Sequence, residues 1–214
     1  MNLRSRPSKC IVVAMVLTFG IAGCARDTKQ TATQSSVADI YRVVLDTSRG
    51  PILIDVDRSL APNGAKRFAD LVTAHYFDGA RFYRVVPGFV VQWGAAATPA
   101  LTKKWDTTIP DDPVKGSNTR GTVTFAATGQ PNSRTTHLFI NLGDNTRLDA
   151  MGFAPIGHVE SGMQAVDSIY SGYGEQPDQS LIQRQGNAYL QKAFPRLDYI
   201  RTAHLVNGTR LVGH

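Results

Sequence analysis

The apolar residues of this chain fall in short runs of alternating polarity broken by turn signals, and that pattern restricts the fold more than any other feature. Val43 and Leu45 alternate with polar neighbours, Thr47-Ser48-Arg49-Gly50 supplies a turn, and Ile52, Ile54 and Val56 continue on one face. Residues 40–56 therefore read as a β-hairpin. A second hairpin is predicted around Pro87-Gly88, where two short apolar runs flank a turn signal. In its second run Val90 and Gln92 share one face, and Phe89 and Val91 the other, by the two-residue strand period. Further strands are expected at 122–127, 138–141 and 155–159, with a last one at 198–206 available to pair with the first. Helical spacing occurs twice. Residues 61–74 carry Pro62 in the first turn and Ala65, Phe68 and Val72 on one side, and residues 162–170 recur through Met163, Val166 and Ile169. Residues 95–120, punctuated by Pro99, Pro110, Pro113 and Gly116, read as a long surface excursion. Short strands with two helices argue for an antiparallel barrel or a sandwich; periodicity alone does not choose.

The N-terminal end has a different grammar. Arg4, Arg6 and Lys9 precede an apolar run over residues 10–22, and Ile21-Ala22-Gly23 places small residues before Cys24. This is the layout of a secretory signal, short for a membrane-spanning helix. Cysteine after small residues resembles a bacterial lipobox, which implies cleavage before Cys24 and lipidation there; an ordinary signal peptide is the alternative. The expected organisation is a signal at 1–23, a lipidated Cys24 with a tether through 38, and one domain over 39–214. Residues 25–38 are polar and lack aromatics, so they read as a flexible tether with a span of roughly 20 Å. Export to a bacterial membrane follows, with the periplasmic side of an outer membrane favoured by Ala25 rather than Asp after the cysteine.

Composition narrows the function. Three of the formal +6 charges sit in the signal, which contains no acid, so the domain has only a mild basic excess and no long basic run. Nucleic-acid binding has little support. Cys10 and Cys24 are the chain's two cysteines, and neither leaves a thiol for a disulfide or a thiolate metal site. No histidine pair has metal-ligand spacing, and neither a phosphate loop nor a Gly-x-Ser-x-Gly elbow is present. What stands out is Arg84, a permanent cation and pure hydrogen-bond donor set among apolar and aromatic neighbours.

The run Phe82-Tyr83-Arg84-Val85-Val86-Pro87-Gly88-Phe89-Val90-Val91-Gln92 closely resembles the core motif of the cyclophilins, peptidyl-prolyl cis-trans isomerases. Gly121-Thr122-Val123-Thr124-Phe125-Ala126-Ala127 and Asn132-Ser133-Arg134-Thr135-Thr136-His137-Leu138-Phe139-Ile140-Asn141 resemble a second signature. Leu148-Asp149 and Phe153-Ala154-Pro155-Ile156-Gly157 resemble a third, and the ordered set spans roughly residues 40 to 206. The resemblance implies a mainly β fold, a closed eight-stranded antiparallel barrel capped by two α-helices, with a substrate groove on its outer surface. It implies rotation of X–Pro bonds in proline-containing polypeptides by a monomer needing no cofactor or metal. Arg84 would be catalytic. Phe89, Val90, Phe139 and Leu148 would line the proline pocket, Gln92 would bond the peptide backbone, and the backbone at Phe125, Ala126 and Ala127 would hold the preceding residues. His137 and Phe153 would flank the groove. Phe153 and Arg147 stand where the family often has histidine and tryptophan, and His137 replaces a glutamine, so the rim is altered. The alternative is a proline-segment binding module or chaperone with little turnover.

Overall fold

The computed structural model describes residues 39–206; the expected signal, Cys24, the tether and residues 207–214 lie outside the described residues. Strands β1 (Ile40–Thr47) and β2 (Gly50–Asp57) form the first hairpin in the register Val43↔Ile54 and Leu45↔Ile52. The alternation does what a half-buried hairpin requires: Val43, Leu45, Ile52, Ile54 and Val56 are fully buried while their neighbours stay partly exposed. Helix α1 (Pro62–Thr73) packs Ala65, Phe68, Leu71 and Val72 on the same core. Its N-cap residue, Ala61, has no capping side chain. Asp112, far along the chain, accepts from the backbone N–H groups of Asn63 and Gly64 at 3.0 and 2.9 Å and so satisfies two orphan donors. The buried Arg134 donates to the same Oδ2 that accepts from Gly64, at 3.0 Å.

Strands β3 (Arg84–Val86) and β4 (Val90–Trp93) form the second hairpin, with Gly88 at φ +73° in its turn. Helix α2 (Pro99–Trp105), β5 (Thr122–Phe125), β6 (Leu138–Asn141) and a 3₁₀ turn (Thr146–Leu148) follow. Then come β7 (Pro155–Ser161), α3 (Met163–Asp167), α4 (Gln179–Gln185), α5 (Asn187–Ala193) and β8 (Ile200–Val206). All eight strands join one antiparallel sheet in the order β3-β4-β6-β5-β7-β2-β1-β8, and β8 pairs with β1 as expected.

Two expectations need correction. The sheet is a curled, open half-barrel rather than a closed barrel, because no ladder joins its end strands β3 and β8. A single bridge, Arg81↔Tyr199, with Phe82 N–H donating to Asp198 O and Ile200 N–H to Ala80 O, ties the seam just before β3 begins. The free edge of β3 itself is taken by a loop: Val85 N–H donates to Gly174 O at 3.2 Å. The helices also exceed two, since α2, α4 and α5 accompany α1 and α3. Helix α4 starts at Asp178, whose carboxylate accepts from the N–H groups of Ser180 and Leu181. Ile182 of α4 and Leu190 of α5 build a second apolar cluster with Tyr83, Ala95 and Leu197.

Candidate active site

The sheet's outer face carries the site, and strand alternation puts it there. On β4, Val91 and Trp93 enter the interior core while Val90 and Gln92 face out. On and beside β6, Leu138 and Ile140 point inward while His137 and Phe139 face out. The register Gln92↔Phe139 and Arg84↔Gln92 sets these outward side chains beside one another. Gly94 makes the close approach possible: at φ +126°, a Cβ there would lie 2.4 Å from the His137 Cα.

Val90, Phe139 and Leu148 form a small buried cluster separate from the main core, with Phe89, Ala126 and Phe153 packed on it. They floor a groove of about 690 Å³ whose rim adds Arg84, Gln92, Ala127 and His137. The Phe139 and Phe153 rings meet edge to face with centroids 6.0 Å apart. Phe89 lies below two cations, with the guanidinium carbons of Arg84 and Arg147 at 5.4 and 4.8 Å from its centroid. Of the residues expected here, Arg84, Phe89, Val90, Gln92, Ala126, Ala127, His137, Phe139, Leu148 and Phe153 all line the groove. Phe125, expected to act through its backbone, turns its side chain into the main core in phase with Val123. One expectation is corrected. Phe89 joins Val90 in the groove instead of opposing it, since β4 begins only at Val90 and Phe89 belongs to the turn.

Arg84 is half-buried at the groove's edge, its side chain 24% exposed. Its Nη1 donates to Gln92 Oε1 at 3.2 Å, and Nε donates to Glu175 Oε1 at 2.6 Å. Gln92 Nε2 in turn donates to the Tyr83 hydroxyl at 2.8 Å, which lies 2.7 Å from His137 Nδ1. Burial holds the His137 imidazole down to about 4, with Asp106 pulling weakly the other way. Burial raises the Tyr83 phenol above its ordinary range, so it keeps its proton.

Glu175 and Tyr83 escape a reading of the sequence. Glu175 lies 91 residues from Arg84 and arrives through the loop pinned to Val85. Tyr83 sits inside the first motif, but nothing in its spacing reveals what its hydroxyl meets. A polar shell behind the groove was equally hidden. Asn118 donates from Nδ2 to Asp149 at 2.7 Å and to Phe153 O at 2.8 Å, while Asn145 Nδ2 donates to Phe89 O at 2.9 Å. These bonds fix the backbone that carries Phe89, Leu148 and Phe153.

The geometry is that of an apolar slot with one fixed cationic donor. A family model described as cyclophilin type peptidyl-prolyl cis-trans isomerase/CLD matches residues 42–185. Peptidyl-prolyl cis-trans isomerase A of Dickeya dadantii is 34% identical over 167 residues, covering 76% of this chain and 84% of that protein. A peptidyl-prolyl cis-trans isomerase of Acinetobacter baylyi is 37% identical over 132 residues, 59% of this chain and 70% of that protein. In solved structures, the Cryptosporidium parvum cyclophilin type isomerase crystallised in the presence of the dipeptide Ala-Pro superposes with a TM-score of 0.59 at 19% identity. That match covers 78% of this chain and 99% of the other. With the family model over residues 42–185 and a relative 34% identical over 84% of its length, the chain belongs to the cyclophilin-type peptidyl-prolyl cis-trans isomerases.

Proposed function

We propose that this protein rotates X–Pro bonds in polypeptides laid along the groove, with Arg84 as the catalytic residue. The observation that carries the reading is the Arg84 guanidinium held by Gln92 over the rim of an apolar cluster that the main core does not need. Rotation must cross a barrier of ~18–20 kcal/mol because amide resonance is lost at the top. No bond breaks, so the useful interactions are those stronger in the twisted imide than in either planar form. As the imide twists, its nitrogen becomes pyramidal and gains a lone pair. A guanidinium beside it then makes a charge-assisted hydrogen bond that the planar form barely offers. By analogy with oxyanion-hole donors this supplies about 3–4 kcal/mol. Val90, Phe139, Leu148, Phe89 and Phe153 hold the proline ring, and Gln92 and His137 offer hydrogen bonds to the peptide. The solved structure determined in the presence of Ala-Pro supports proline-containing peptides as ligands of such a groove.

The Arg84–Glu175 pair is the one feature that favours the binding-module alternative, since a carboxylate competes for the guanidinium. The Glu175 side chain is 62% exposed, and pairs so exposed contribute about 0–1 kcal/mol. Such a pair opens readily to a substrate. Magnetisation-exchange NMR on an X–Pro peptide tests the activity: catalytic amounts of protein accelerate exchange, and an unchanged rate sinks the reading.

The N-terminal pattern supports export and anchoring through Cys24, with clients that fold outside the cytoplasm. Membrane fractions of expressing cells should carry the protein and lose it with Cys24→Ala. Equal soluble recovery of both forms would refute the anchor.

A further inference from the structure

We propose that Tyr83 is a positioning residue of the isomerisation: its hydroxyl fixes the Gln92 amide under Arg84 and holds His137 as the tautomer with an Nε2–H donor facing the groove. Donor and acceptor rules force the chain in one direction. Arginine has no acceptor, so the Gln92 atom receiving Arg84 Nη1 must be its oxygen. The Gln92 nitrogen is then the atom that donates to the Tyr83 oxygen. That leaves the phenolic proton for the remaining neighbour, His137 Nδ1, at 2.7 Å. Nδ1 accepts, and in a neutral imidazole the proton must sit on Nε2.

The opposite tautomer has no comparable solution. With a proton on Nδ1, the Tyr83 oxygen would accept twice and its own proton would need a third partner. The hydroxyl has no other hydrogen-bonded neighbour among the described residues, and Tyr83 is 1% exposed among Ala95, Ile182, Leu190 and Leu197. A buried proton without an acceptor is costly. His137 Nε2, by contrast, has no hydrogen-bond partner among the described residues, and its side chain lines the groove. It is open to an oxygen acceptor of the bound peptide. A glutamine at this position could offer either an N–H or an oxygen by flipping its amide. The Tyr83-bound histidine offers only an N–H, so the groove selects peptides that present an oxygen there.

The inference rests on the isomerase reading for its kinetic consequence alone, because the tautomer can be read without substrate. Long-range proton–nitrogen correlation spectra of the full protein should show His137 protonated at Nε2 and bare at Nδ1. Tyr83→Phe should mix the two tautomers and lower kcat by roughly five-fold, the equivalent of one hydrogen bond. A purely structural role for Tyr83 would shift stability and leave the tautomer alone. A dominant Nδ1–H form in the unmodified protein overturns the proposal, even if the variant does not fold. So does a folded Tyr83→Phe protein with unchanged tautomer and kcat. Failure of the isomerase reading shows separately, as an unmodified protein that leaves X–Pro exchange unchanged while the His137 spectrum is as predicted.

Discussion

Leu138 and Leu148 are the same residue type in two apolar clusters of opposite purpose. Leu138 is fully buried inside the curled sheet, beside Trp93, Phe82 and Ile140 in the main core. Leu148 is 6% exposed on a 3₁₀ turn outside the sheet, in a cluster otherwise built from Val90 and Phe139. The interior cluster is sealed by both faces of the fold, whereas the outer one is open on the side where a peptide would lie. One set of strands serves both, because adjacent residues of β4 and β6 point to opposite faces. Apolar burial within the sheet holds the protein together; apolar burial on its back leaves a surface that a ligand completes.

Truncating the two leucines should separate these roles. Leu138→Ala is expected near the top of the ~2–5 kcal/mol range for such changes, because the surrounding core cannot collapse onto the void. Leu148→Ala belongs near the bottom of that range, about 2 kcal/mol, but it should raise KM for X–Pro peptides. Denaturant unfolding with kinetics on both variants checks this. Equal losses of stability with equal KM values would erase the distinction.

A titration sharpens the comparison next, because the outer face carries a half-buried base, His137. The His137 pKa is lowered to about 4 in the fold against 6.5 ordinarily, chiefly by burial. Between those values the unfolded chain binds more protons, so stability is fully present above about pH 6.5 and is lost as pH falls toward 4. The slope from this group reaches at most one proton, about 1.4 kcal/mol per pH unit. His137→Gln should flatten that part of the curve, and an unchanged slope in urea titrations from pH 7 to about pH 4 would assign it elsewhere.

The smallest effect is expected at the rim. Glu175→Gln removes an exposed charge from Arg84 and should change kcat/KM by less than about five-fold. A change of a hundred-fold in either direction would make Glu175 a central part of the site.

What could be read in the chain follows the same division. The inward positions of β1, β2 and α1 were legible because period and burial coincide there. Arg84 and Gln92 are each legible through the motif around Pro87-Gly88, and the structure adds that they face one another across the hairpin. Phe125 divides the two clusters within one residue: its strand phase turns the side chain inward, and only its backbone is left for the outer face. Asp112 lies within residues 95–120, which read as a surface excursion, yet it is a buried remote cap for α1. Helices α4 and α5 have seven residues each and meet at Gly186, too short for a periodic signal. They carry the cluster around Tyr83, and the loop before them brings Glu175 to the site. Such placements are long-range, and no local pattern encodes them.

The central claim is that the Arg84 guanidinium favours the twisted imide over either planar one. Exchange of an X–Pro peptide, measured with its affinity on the same Arg84→Ala protein, tests that most directly. Isomerisation should fall at least roughly ten-fold while affinity stays within a few-fold. If turnover and affinity fall together, or neither falls, Arg84 binds peptide without driving its rotation, and the account is contradicted.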